Sequence, residues 1–155
     1  MDKRRLLFVC SGNTCRSPMA EHLLRAALPA DCGWIVESAG TMAVPGEPAN
    51  PFAIAVLSEE GIDLSPHRSR IATPALLHAM DLVVPMTRSH REELAALAPS
   101  LPIPSSLLSS FLPGPPRDAD LPDPIGGPLE TYRACRDAIR QCLPGLIGAL
   151  LHGRR

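Results

Sequence analysis

Aromatic side chains are scarce in this chain: three Phe, one Trp and one Tyr among 155 residues. A site walled by flat rings, as for a phenol or a nucleobase, has little material to be built from. Charge of one sign is lacking too. Fifteen Lys and Arg face sixteen Asp and Glu, for a net −1 at neutral pH, which argues against a nucleic acid or a membrane surface as partner. No apolar run approaches the roughly 20 residues of a membrane-spanning helix. The apolar stretch after Arg5 is too short to read as a signal peptide. There is no phosphate-loop lysine followed by Ser or Thr, and no G-x-G-x-x-G turn. No Cys/His group has metal-ligand spacing, so no metal and no other cofactor is expected. The cysteines number five, an odd count that fits a reducing cytoplasm better than a disulfide framework.

Strand-like and helix-like segments alternate. Strands are expected at 5–9, 34–38, 81–86 and, briefly, 102–105. Helices are expected at 18–28, with Ser17 as cap, at 49–60 before Gly61, at 89–97, and at 128–151 with a disturbance at Pro144-Gly145. This alternation predicts an α/β fold with a parallel sheet and a site at strand C-terminal ends. The length suits one domain, residues 1–155, with a real core. Nine of the eighteen prolines lie between Pro99 and Pro128, so that stretch reads as an ordered but irregular loop. The basic residues Lys3, Arg4, Arg5, Arg154 and Arg155 read as frayed ends.

Residues 10–17 are Cys-Ser-Gly-Asn-Thr-Cys-Arg-Ser, between the first strand and the first helix. A loop there has to curl its backbone amides inward, and Gly12 and Asn13 tolerate the dihedrals this needs. The product is a nest of N–H groups at the positive end of a helix, a ready phosphate site. Arg16 adds a fork for two phosphate oxygens. The same field favours a thiolate at Cys10, and Ser17 is placed to donate a hydrogen bond to it. The chemistry implied is attack on phosphorus, a phosphocysteine, then hydrolysis. Leaving-group departure needs a proton donor, and Asp123, stiffened between Pro122 and Pro124, is a candidate.

These residues resemble the low-molecular-weight protein tyrosine phosphatase family. The likeness runs from Val9 to Glu21, through Ser38-Ala39-Gly40-Thr41, Gly61 to His67 and Asp81 to Thr87, to Leu121-Pro122-Asp123-Pro124. It implies a doubly wound, three-layer domain with four parallel strands flanked by helices. It also implies Cys10 as nucleophile, Arg16 as clamp and Asp123 as general acid and then base. Ser11, Gly12, Asn13, Thr14, Cys15, Arg16 and Ser17 would bind phosphate, Ser11 through its amide. Asn13, Ser17, Ser38 and His67 would support the loop. Cys15 matches a cysteine that in some relatives forms a reversible disulfide with the nucleophile. The partner implied is a phosphorylated protein, acted on by a cytoplasmic monomer.

Within the family, Thr14 and the run Asp123-Pro124-Ile125-Gly126-Gly127 resemble protein arginine phosphatases. Tyrosine-specific relatives usually carry a bulky aliphatic at the first position and aromatics after Asp-Pro. The expected substrate is therefore protein phosphoarginine, with phosphotyrosine as the alternative. Tyr132 either lines the pocket or packs. Arsenate reduction is a third possibility, but Cys135 and Cys142 both follow Asp123 and stand about 10 Å apart on one helix. A phosphoprotein-binding module would need neither Cys10 nor Asp123. His22, His78, His90 and His152 read as solvated helix residues.

Overall fold

The computed structural model describes residues 3–101, 106–114 and 119–153. Strand β1 (Arg4–Cys10) is paired in parallel with β2 (Trp34–Gly40) on one side and β3 (Leu82–Pro85) on the other. The sheet order is β2-β1-β3. Four strands were expected; three are present among the described residues, and the fourth, at 102–105, lies outside them.

The apolar run in β1 explains its central place. Leu6, Leu7, Phe8 and Val9 are all fully buried, each worth about 1.5–3 kcal/mol relative to exposure. Successive side chains point to opposite faces of a strand. Leu6 and Phe8 join one core, with Met19, Leu24, Val56 and Ile139. Leu7 and Val9 join a second, with Ala72, Leu77, Val83 and Leu94. Helices α1 (Arg16–Ala27), α2 (Pro51–Ser58) and α5 (Leu129–His152) therefore cover the first face, and α3 (Pro74–His78) and α4 (Arg88–Leu97) the second.

Several expectations are corrected. Arg4 and Arg5 are not frayed: Arg5 makes two bonds to Glu37, at 2.7 and 2.8 Å, and Arg4 stacks on Trp34. Helix α3 has no counterpart among the expected elements; Thr73 caps it through the Leu76 amide and Pro74 begins it. Helix α5 runs unbroken through Pro144. Gly145 is there for a close approach, since a Cβ would lie 2.1 Å from the Phe111 carbonyl oxygen. That carbonyl ends a short 3₁₀ turn, Leu108–Phe111, in the proline-rich stretch.

Candidate active site

Residues 11–15 span from the C-terminal end of β1 to the first turn of α1. Their carbonyls are turned outward onto protein donors. Cys10 O accepts from the Thr41 amide at 3.0 Å and Ser11 O from the Met42 amide at 2.9 Å. Asn13 O accepts from His67 Nε2 at 2.8 Å, and Thr14 O from the Asn50 amide at 2.9 Å. In a trans peptide the following N–H points the opposite way, so the amides of Ser11, Gly12, Thr14 and Cys15 face inward. Gly40 makes room for this curl: a Cβ there would lie 2.3 Å from Ser11 O.

Asn13 holds the bend. Its φ of 58° makes it the one non-glycine residue with positive φ among those described. Its Oδ1 accepts from the Arg70 amide at 2.9 Å, which fixes the orientation of its amide group. Nδ2 then donates to Ser17 Oγ and to Ser38 Oγ, both at 2.9 Å. Ser38 Oγ in turn donates to Glu21 Oε1 at 2.6 Å.

Ser17 was expected to cap α1; Cys15 occupies that position, with no side-chain cap bond. The reason is that Ser17 is committed elsewhere. Its oxygen accepts from Asn13, so its hydrogen is left for Cys10 Sγ, 2.8 Å away. Pro18, third in the helix, has no N–H to waste in a first turn. Cys10 is itself buried at the floor of this loop.

Arg16 is 5% exposed, and a buried charge needs partners. Its NH1 donates to the Leu121 carbonyl at 2.9 Å, and its NH2 stands 3.6 Å from Asp123 Oδ2. Residues 120–123 are tied to the same corner. The Leu121 amide donates to Met86 O, and Asp120 accepts from the Arg88 amide at 2.8 Å. That bond holds the Asp120 carboxyl below its ordinary range. Asp123 Oδ1 accepts from the Ile125 amide, and a turn closes between Pro124 O and the Gly127 amide. Asp123, 113 residues from Cys10 in the chain, thus stands beside Arg16, half-exposed.

Thr14 is half-buried, with its hydroxyl 3.8 Å from Cys15 Sγ. Tyr132 packs and does not line the pocket: it is fully buried, its hydroxyl 3.7 Å from Cys15 Sγ and its ring edge-on to Phe52. Burial pushes the Cys15 thiol up, and pushes Cys135 up to about 12 and Cys142 to about 11. All five cysteines are free thiols.

His90 was expected to be solvated, but it is 3% exposed. Its Nε2 meets Ser11 Oγ at 2.8 Å and its Nδ1 meets Thr87 Oγ1 at 2.9 Å. Only the spacing of a threonine three residues before a histidine at a helix start hints at this in the sequence. Among the described residues, Glu21, His22 and His67 bring possible metal-ligand atoms within 4.8 Å of one another. However, Glu21 already holds Arg25 at 2.5 Å, and Arg68 and Arg70 line the same cavity of about 240 Å³. Three guanidinium groups oppose a divalent cation there.

This geometry has counterparts. Residues 5–154 match the family described as low molecular weight phosphotyrosine protein phosphatase. A protein-arginine-phosphatase of Geobacillus stearothermophilus is 40% identical over 143 residues, 92% of this chain and 93% of that one. A solved structure of the YwlE arginine phosphatase, a mutant with a phosphorylated active-site serine, superimposes with a TM-score of 0.84 at 34% identity. It covers 94% of this chain and 95% of that one. The tyrosine phosphatase Wzb from Escherichia coli K30, in complex with sulphate, gives 0.85 at 30% identity, covering 96% and 99%. With the family matched over residues 5–154 and a relative 40% identical over nearly its whole length, the chain belongs to the low molecular weight phosphotyrosine protein phosphatase family.

Proposed function

We propose that this chain is a single-domain, cytoplasmic, monomeric phosphatase acting on protein phosphoarginine. Cys10 thiolate attacks phosphorus while the amides of residues 11–16 and the Arg16 fork hold the phosphoryl oxygens. The bond from phosphorus to the guanidino nitrogen breaks, and that nitrogen takes a proton from Asp123. Water then attacks the phosphocysteine, Asp123 accepts its proton, and the sulfur–phosphorus bond breaks. Inorganic phosphate leaves and the thiolate returns. Asn13, Ser17, Ser38 and His67 keep the loop in shape throughout.

One observation carries the chemistry. Cys10 Sγ sits 2.8 Å from a hydroxyl whose oxygen is already occupied by Asn13, inside a loop whose carbonyls face away. That arrangement supports an anion cradle with the Cys10 sulfur at its base. The substrate class rests on what borders Asp123. Ile125, 60% exposed, follows the Asp-Pro pair where an aromatic wall for phenol would serve. Thr14 offers a hydroxyl at the rim to a polar leaving group or to the attacking water. The relative from Geobacillus is named for arginine dephosphorylation.

The test compares initial rates on phosphoarginine, phosphotyrosine and phosphoserine peptides, native and Thr14→Ile. The native protein is expected to prefer phosphoarginine, and Thr14→Ile to shift the ratio toward phosphotyrosine by about tenfold, or 1.4 kcal/mol. A strong native preference for phosphotyrosine that Thr14→Ile leaves unchanged would overturn the substrate.

A further inference from the structure

Ser11 follows the nucleophile directly, and its hydroxyl meets His90 Nε2 at 2.8 Å. The other ring nitrogen, Nδ1, lies 2.9 Å from Thr87 Oγ1. Thr87 caps α4, and its oxygen accepts the His90 amide at 3.1 Å. That cap sets the hydrogen count. A buried threonine hydroxyl that has accepted one amide needs an acceptor for its own hydrogen, and His90 Nδ1 is within reach. Nδ1 then accepts, the proton of the neutral ring sits on Nε2, and Nε2 donates to Ser11 Oγ. Burial and the Arg16 guanidinium push His90 below the ordinary imidazole range, which keeps the ring neutral.

Ser11 Oγ is left with one lone pair and one hydrogen. The residue is half-buried, as Gly12 and Thr14 are, whereas Cys10 and Asn13 are buried. The Arg88 amide holds Asp120 and the Leu121 amide donates to Met86 O, so the start of α4, and this arm with it, is tied to the segment that carries Asp123. A phosphorylated guanidino group carries N–H donors next to its phosphorus; phosphotyrosine has an ester oxygen and then ring carbons there, with no N–H to donate.

We propose that Ser11 contacts substrate by accepting an N–H from the phosphorylated guanidino group, and that His90 is the positioning residue that aims this acceptor. The remaining Ser11 hydrogen faces a phosphoryl oxygen. The inference rests on the phosphoarginine reading and assigns that reading a second determinant besides Thr14.

Ser11→Ala, His90→Asn, His90→Gln and the Ser11→Ala/His90→Asn double variant are assayed on a phosphoarginine peptide, a phosphotyrosine peptide and p-nitrophenyl phosphate. A glutamine amide nitrogen reaches where Nε2 stands; an asparagine one reaches only to Nδ1. Ser11→Ala and His90→Asn are each expected to lower the phosphoarginine-to-phosphotyrosine ratio of kcat/KM about tenfold. His90→Gln keeps the native ratio, and the double variant is no worse than either single one. Ser11→Ala, at a half-buried position, decides the matter even where a His90 variant fails to fold. A native ratio in Ser11→Ala, or a double variant whose losses multiply, overturns the Ser11–His90 arm alone. Native protein that turns over p-nitrophenyl phosphate but not phosphoarginine overturns the substrate reading and the Ser11 contact together.

Discussion

Asn13 commits every polar atom of its side chain to the loop, and its backbone sits where few side chains sit. Asn13→Ala loses three hydrogen bonds of about 1 kcal/mol each and keeps the unfavourable φ. Stability is expected to fall by about 2–3 kcal/mol in urea titration, with kcat/KM falling alongside. An unchanged kcat/KM would mean the loop keeps its shape without this residue. At Asp123 the expectation depends on the leaving group. Asp123→Asn should slow phosphoarginine peptide hydrolysis by about 10²–10⁴. It should slow p-nitrophenyl phosphate far less when both are compared as kcat/KM, which ends at phosphocysteine formation, because nitrophenolate departs without a proton. Equal losses on both would remove Asp123 from the role of acid. Cys10, Asn13 and Arg16 stand out in the sequence because they fall within seven consecutive positions between a strand and a helix. His90 was not legible. Its contact with Ser11 comes from the loop after β1 meeting the start of α4, and only its Thr87 partner, three residues away, is local.

Among the elements, β2 carries a charge into the sheet. Glu37 is 9% exposed and takes hydrogen bonds from Arg5 on β1 and, at 3.2 Å, from Arg70. The Arg5 bond, first, and then the two guanidinium charges hold the Glu37 carboxyl below its ordinary range. Because the folded value is the depressed one, the stability it contributes is present above the unfolded value, roughly 4.3. It is lost as pH falls through the folded value. Glu37→Gln should therefore destabilise by about 2 kcal/mol near neutral pH, and the gap to the native protein should close under acid. A gap independent of pH, followed by denaturant midpoints, would assign the loss to packing. Elements were read well where the pattern is strong: β1 from its apolar run, and α4, expected at 89–97, within one residue at its start; the helix expected at 49–60 overran α2, which spans only Pro51–Ser58. They were misread where a side chain had another commitment. Ser17 looks like a cap but serves the sulfur, and Pro144 looks like a break but packs inside α5 beside a close contact at Gly145.

For the whole molecule, the inward amides, Arg16 and the folded sheet exist together or not at all. A ligand that binds only this assembly stabilises it by RT ln(1 + [L]/Kd), about 2.7 kcal/mol at a hundredfold excess over Kd. Inorganic phosphate should raise the unfolding temperature of the native protein and of Cys10→Ser, and should do little for Arg16→Ala. An equal rise in all three would place phosphate elsewhere. No helix among the described residues is long and apolar enough to cross a membrane. The part legible along the chain was local: a strand, a tight loop and a helix in succession, because Cys10, Asn13 and Arg16 are near neighbours and short-range sterics and dipoles suffice to arrange them. What only the tertiary structure decided was long-range. Asp123 reaches Arg16 because Leu121 is pinned between Met86 and the guanidinium, and the loop carbonyls find donors on residues 41, 42, 50 and 67. Such partners are chosen by how two cores close over one sheet, a matter of packing in three dimensions to which spacing along the chain gives no access.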